Sequence, residues 1–298
     1  MNATASTTLL FRKLLFATLL FVVLSMLGGC ASSRGLAQVR DFADESAKLD
    51  GYAELTERFR GSYAREQPYL SAAADAQAQA GERERRALYP DLIAIHDSVV
   101  LYMQTLGKLA GSDQFDLKPQ LKSLGTGIKA WPETGLSDRH VNAYTNLAAL
   151  LTRAVTAPYQ EKSVQTMVRD GYEPMQALLD AMQNLLRYYD KINDNEQAIV
   201  LGLLDVEIPF AETPRDRLLA VLAKAHRQTK SSEYRLAGLR HTLAAKHVAA
   251  ITAAHQTLME HIDALDSPQA RAALARSNEA VHAAAAALAT PTLTGGAP

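Results

Sequence analysis

The 298 residues include one cysteine, Cys30, one tryptophan, and only 6% aromatic side chains. A lone cysteine closes no internal disulfide, so the fold must be held by packing. The same scarcity excludes a multi-cysteine zinc site and a haem attached through a cysteine pair ahead of a histidine. Glycine (16) and proline (11) are sparse, which leaves few positions that end an element. Neither sign of charge prevails: 31 Lys and Arg stand against 32 Asp and Glu, a net of −1. That balance gives no reason to expect nucleic acid as a partner. No stretch alternates apolar and polar residues between turn signals, so strands are not expected. Only one hydrophobic run is long, residues 14–27. It is shorter than the roughly 20 residues that span a bilayer.

What is present favours helix. Ala, Leu, Gln, Arg and Glu, all good helix formers, supply much of the chain. Leu88, Leu92, Ile95, Val99, Tyr102, Leu106 and Leu109 recur at alternating steps of four and three, the seam of a helix packed lengthwise on another. A first helical region is expected over residues 35–79, with Leu49, Tyr52, Leu55, Phe59 and Tyr63 on one stripe. Gly51, Gly61 and Pro68 weaken or kink it. The pattern then breaks at Gly111, Pro119, Gly125, Gly127, Pro132 and Gly135, which marks a connector with at most a short helix over 120–130. Ser137 reads as the N-cap of a helix through Val141, Tyr144, Leu147 and Leu151. Pro158 interrupts that helix, and a piece resumes as far as Arg169.

Gly171 is expected to separate that piece from a helix opened by Pro174 and reaching Val206. Its inward residues would be Leu178, Met182, Leu185, Tyr189, Ile192, Ile199 and Leu203. Thr213 and Pro214 start another, with Leu218, Leu222, Leu239, Leu243, Ile251, Leu258 and Ile262 along it. Ser267 and Pro268 repeat that start signal for a last, alanine-rich helix to residue 289. The pattern as a whole predicts an all-α fold, an elongated antiparallel helical bundle with coiled-coil-like packing.

The apolar run has a defined setting. Arg12 and Lys13 precede it, and Leu27, Gly28, Gly29 and Cys30 close it. A basic start, an apolar centre and small residues at a cut are the order of an export signal. The four closing residues resemble the lipobox of bacterial lipoproteins, whose cysteine is acylated and becomes the first residue of the mature chain. The resemblance is confined to the first 30 residues. It implies cleavage between Gly29 and Cys30 and a membrane anchor through the lipid on Cys30. Residue 31 is alanine rather than aspartate, which by the same resemblance implies the outer membrane, periplasmic face. The expected organisation is a signal peptide over 1–29, a lipidated tether over 30–35, a periplasmic helical domain over 36–289 and a disordered tail over 290–298. The connector at 111–136 is where that domain would divide, if it does.

Loss of residues 1–29 removes Arg12 and Lys13 and leaves 29 bases against 32 acids. Within that total the signs segregate. Residues 170–212 carry nine acids and two bases, and residues 213–247 carry eight bases and two acids. The bases are Arg215, Arg217, Lys224, Arg227, Lys230, Arg235, Arg240 and Lys246. The simplest reading sets the two helices side by side, charge against charge. The functional alternative is a basic face for lipid phosphates or an acidic partner.

Chemistry is hard to assign. No two of the eight histidines stand three or four residues apart, so none forms a metal pair on one helix. Glu279 and His282 match half of a di-iron motif without a second half. His255 and Met259 sit one turn apart, where core filling is the commoner role of methionine. Residues 190–196 are acidic, yet Ile192 falls where a calcium loop needs oxygen. No nucleophile elbow, phosphate loop or dinucleotide fingerprint occurs. No metal and no cofactor is expected. The function expected is that of a non-catalytic, membrane-anchored lipoprotein that binds an envelope protein as adaptor, assembly factor or inhibitor. A carrier of an apolar small molecule or envelope lipid is the second reading, and an enzyme or haem or metal bundle the third.

Overall fold

Good helix formers with few interrupting residues produce helix almost everywhere in the computed structural model, which describes residues 34–111, 117, 124–125, 127–154 and 161–289. The fold is all-α, and among the described residues no strand forms beyond one isolated bridge, Trp131 with Leu136. The elements are α1 (34–46), α2 (Asp50–Arg60), α3 (Ser62–Glu66), α4 (Ala72–Leu109), α5 (Asp138–Ala154), α6 (Glu161–Phe210), α7 (Arg217–His261) and α8 (Pro268–Ala289). The expected signal segment over 1–29, Cys30 and the expected tail over 290–298 lie outside the described residues.

The first region, expected as one kinked helix, is α1, α2, α3 and the first turns of α4. The chain breaks at 47–49, just ahead of Gly51, and again at Gly61 and in a 3₁₀ turn over Gln67–Tyr69 that contains Pro68. Helix is already present at residue 34, inside the span expected to be tether. The seam on α4 is as the spacing predicts: Leu88, Leu92, Ile95, Val99, Tyr102, Leu106 and Leu109 are all buried. The described parts of the expected connector helix, 124–125 and 127–130, are not helical. Trp131 is pinned there by its indole N–H, which donates to Asp91 Oδ2 at 2.7 Å. Gly135 closes the following turn in the left-handed region at φ 85°, which a side chain rarely adopts. At the start of α5 the Ser137 N–H donates to His140 Nδ1 at 3.0 Å, so His140 fills the role usually taken by an acid or amide in a capping box.

The largest departure is at Gly171 and Pro174. Instead of separating two helices, both lie inside the single 50-residue α6. Gly171 serves packing: a Cβ there would come within 2.5 Å of the Tyr102 ring, so its bareness lets α4 and α6 touch. Contacts on that scale outweigh the local weakness of Gly and Pro in a helix. Ser267 does cap α8, its Oγ accepting the Ala270 N–H at 3.1 Å. Thr213 Oγ1 accepts the Asp216 N–H at 3.1 Å in a turn, and α7 begins only at Arg217.

α6 and α7 pair antiparallel along their lengths. As the α6 partner falls from Asp205 through Asp190, Gln183 and Gln176 to Gln165, the α7 partner rises from Arg227 through His241, Ala245 and Thr252 to Ile262. One apolar cluster draws on every helix except α3, from Leu36 on α1 to Leu288 on α8. α1 lies along α8, with Gly35 against Asp266 and Asn278 donating to the Gln38 carbonyl. The N-terminal end of the described chain therefore sits where α7 ends. The turn joining α6 to α7 is at the far end of a 45-residue helix, about 67 Å away at 1.5 Å per residue.

Gly171→Ala drives a methyl into the Tyr102 ring, a small overpacking with little room to relax. Chemical denaturation should show a loss of about 1–3 kcal/mol, against a gain of up to about 1 kcal/mol for Gly202→Ala, where a Cβ meets nothing within 4 Å and alanine favours helix over glycine. Equal effects at the two sites would remove the packing argument.

Candidate functional site

Between Leu201 and Glu233 only Ile208 and Ala220 are buried. The end of the α6–α7 hairpin thus stands clear of the helices that wrap its base. Asp205 pairs with Arg227, whose Nη2 donates to Oδ2 at 3.2 Å, and Glu212 pairs with Lys224. These pairs, with Ile208 and Ala220 between them, mark the faces on which the two helices meet. Val206 and Phe210 are each two residues from Ile208, and Leu218 and Leu222 two from Ala220. At about 100° per residue that places them about 160° away, on the outer flanks. Phe210 is 76% exposed and Leu218 72%, and Val206, Leu219, Val221 and Leu222 are all more than half exposed. The hairpin end thus has a small apolar contact, Ile208 and Ala220, rimmed by exposed ion pairs, and leaves its larger apolar side chains on the outer flanks.

This corrects the expected inward position of Leu203; Leu218 and Leu222 on α7 are exposed as well, and so is Leu239 lower down it. The spacing is that of a packed stripe, but α6 and α7 extend past the shorter helices that would cover it. α4 reaches in that direction without covering it, since none of its residues before Arg85 is buried.

The hairpin leaves the body over a buried polar clasp. Glu196 on α6 is fully buried. Its carboxylate accepts from Arg65 Nε at 2.9 Å and Nη2 at 2.8 Å, and from the Tyr234 hydroxyl at 3.0 Å. Arg58 lies 3.8 Å from the same carboxylate, binds the Asn193 amide oxygen and donates to Glu233 at 3.1 Å. Burial pushes the Tyr234 hydroxyl above its usual range, with the Glu196 charge adding to the effect. In the sequence Glu196 belonged to an acidic stretch that looked solvated. Its burial was missed because the arginines that pair with it come from residues 131 and 138 positions away.

The basic residues divide. Arg227 pairs with Asp205 on α6, Lys224 with Glu212 in the turn after α6, Lys230 with Glu233 at 2.9 Å, and Arg240 with Glu54. For Arg215, Arg217, Arg235 and Lys246, all exposed, no ion pair is found among the described residues. The charge-against-charge reading therefore holds for Lys224 and Arg227.

Three histidines on α7 are buried. His255 is held through both ring nitrogens, 2.9 Å from the Tyr102 hydroxyl and 3.4 Å from Gln176 Nε2, so neither is free for an axial bond. His241 Nδ1 lies 2.8 Å from Asp190. His247 is fully buried with no hydrogen bond to either nitrogen. His282 faces Glu45 at 3.0 Å rather than forming a site with Glu279. Among the described residues no three His, Cys, Asp or Glu gather closely enough to hold a metal ion, and no helix is long and apolar enough to cross a membrane.

Two of the surface grooves lie on other parts of the body. One of about 490 Å³ lies where the α1–α2 turn meets α7 and α8, and its charges are mostly paired, Glu45 with Lys48 and His282, Glu54 with Arg240. The other, about 340 Å³, is lined by Leu109, Leu150, Ala154 and Met167 with Arg153, Lys162 and Asp170 at its edge. No family model, curated protein or solved structure matches the chain.

Burial pushes His247 down to about 4 and His255 to about 3. An unfolded histidine gains its proton near pH 6.5, ahead of these two. The stability they carry is full above that pH and is lost as pH falls toward the folded values. Urea unfolding should show a plateau above about pH 7 and a decline from 6.5 to 5 of up to about 1.4 kcal/mol per pH unit for each histidine. His247→Leu should make the decline shallower. An unchanged slope in both His247→Leu and His255→Phe would show that other groups set it.

Proposed function

We propose that the chain is a non-catalytic lipoprotein, held to the outer membrane by a lipid on Cys30, that works by docking to protein through the end of the α6–α7 hairpin. The observation that carries this reading is the exposed hairpin end: apolar flanks in solvent at the end of a body whose other large apolar side chains are mostly covered. Contiguous exposed apolar surface of this kind marks interaction sites. Position supports it too. The hairpin end is a whole helix length from the end where the chain emerges toward Cys30, so a partner would be met well away from the anchoring membrane. The sequence resemblance supplies the address, and the absence of a recognisable catalytic arrangement leaves the hairpin as the feature in need of a role. The 340 Å³ groove, within the size range of small-molecule sites, favours an apolar ligand as the second reading.

A photo-crosslinking residue placed at Phe210 or Leu222 in the lipidated protein should capture protein in intact envelopes. The same residue at Ala275, exposed on α8 near the anchored end, should not. Equal yields at both places, or none at either, would overturn the docking assignment.

The anchor is tested separately. Cys30→Ala should move the protein out of the outer-membrane fraction, unprocessed or soluble. A substituted protein that still matures and stays there would refute the lipobox reading.

A further inference from the structure

We infer that α1 is a releasable strap, which lies along α7 and α8 and lets go when His247 takes up a proton, lengthening the tether between Cys30 and the body. The inference uses the lipid anchor proposed above and does not depend on what the hairpin end binds. Three observations carry it.

The first is how α1 is seated. Gly35 lies against Leu265, just past the end of α7, and the Phe42 ring stacks on His255 at 6.3 Å. α1 therefore runs antiparallel to α7, and its last residues approach the level of His247. Leu36, Val39, Phe42 and Ala43 are its share of the core. Polar contacts to α8 are made at Gln38, whose carbonyl accepts from Asn278 Nδ2 at 2.9 Å, and at Glu45, 3.0 Å from His282. Residues 47–49 join α1 to α2 outside any helix, so α1 can leave without unwinding α2.

The second is what α1 covers. His247 is fully buried, neither ring nitrogen has a partner, and the charge that acts on it is that of Glu45 on α1. Ser46 Oγ, at the end of α1, is likewise buried without a partner. Unpaired polar groups count against the closed arrangement, and water satisfies them once α1 moves off. Such a helix opens ahead of the core. Burial holds His247 at about 4, against about 6.5 in water. The closed form is therefore favoured above pH 6.5, and release gains about thirtyfold between pH 7.5 and 5. The carboxylates around His247 already have cations. Glu45 is paired with Lys48 and with His282 of α8, and Glu54 of α2 with Arg240, two turns from His247 on the same face of α7. Asp44 lies about 100° round α1 from Glu45, on the flank away from α8. His255, under Phe42, keeps its partners Tyr102 on α4 and Gln176 on α6.

The third is position. α1 starts four residues after Cys30. While it is docked, only residues 30–33 separate the anchor from the body. Once it is released the tether is residues 30–48, which span up to about 65 Å when extended. The hairpin end then reaches about twice as far from the membrane.

Hydrogen exchange read by mass spectrometry, on the full chain carrying Cys30→Ala, tests the release. At pH 7.5 residues 36–46 should exchange well ahead of residues 175–186 in α6. Their protection, corrected for intrinsic rates, should fall about thirtyfold further by pH 5. His247→Leu should remove that fall from α1 while leaving the fall that His255 imposes on α6. Ser46→Ala should raise the protection of α1 at both pH values. A disulfide between Gln38→Cys and Asn278→Cys should abolish early exchange of α1, and its reduction should restore it. Exchange of α1 in step with α6 at both pH values overturns the inference, as does a fall in α1 that survives His247→Leu. On a supported bilayer, neutron reflectometry of the lipidated protein should show a layer thicker by tens of Å at pH 5 than at 7.5. The disulfide-bonded form should show no change. A layer of constant thickness despite release overturns the lengthening. The exchange readout holds whether or not Cys30 carries lipid, so failure of the anchor and failure of the strap are told apart.

Discussion

The antiparallel pairing of α6 and α7 is the constraint from which the other features follow. The two helices have 50 and 45 residues, and the remaining helices are too short or wrongly placed to cover them throughout. Where α1, α2, α4, α5 and α8 surround the pair, an apolar stripe of ordinary spacing becomes core, as at Leu178, Met182, Leu185, Val248, Ile251 and Leu258. Where they do not, the same spacing leaves Phe210 and Leu222 in solvent. A continuous helix carries its pattern across that boundary without local change, because 3.6-residue periodicity takes no account of what lies alongside.

At the boundary stands the Glu196 clasp. A buried ion pair adds little net stability over an apolar replacement, since desolvation offsets most of the Coulombic gain. What Glu196 adds is position. Its two oxygens tie α3 through Arg65 and α7 through Tyr234 to one point on α6. The hairpin is thereby fixed at its root, and its ion pairs Asp205–Arg227 and Glu212–Lys224 hold the two helices together beyond it. Further down the same pair, half-buried amides and buried imidazoles do the matching. Gln165, Gln176 and Gln183 donate to α7 carbonyls, and His255 fits between Tyr102 and Gln176. Such groups have few alternative partners in a low-dielectric interior, and each therefore favours one register.

Much of the fold was legible from spacing and start signals. The α4 seam, the Ser267 cap and the opposite charges on successive helices each depend on residues close in sequence, and each is found in the structure. Gly171 and Pro174 misled because their local preference for a break is worth a few kcal/mol at most, and Gly171 is needed bare for Tyr102. The candidate site was half legible. The acidic and basic helices were plain. The exposure of Leu203, Leu218 and Leu222 was not, because an exposed stripe and a buried one are written with the same residues. Glu196 was invisible for a similar reason, as its arginine partners are more than a hundred residues away.

The sequence by itself determined that this chain is helical, that no internal disulfide holds it, that its two longest basic and acidic segments would pair, and that its first 30 residues resemble an export and lipidation signal. Each of these follows from local composition or from periodicity, which a chain carries whether folded or not. Only the tertiary structure decided which apolar stripes are core and which are surface, which charges are neutralised within the molecule, and how far the hairpin end lies from the end of the body nearest Cys30. Those depend on the relative lengths of helices that meet in space, and burial is a property of what stands next to a residue rather than of the residue itself.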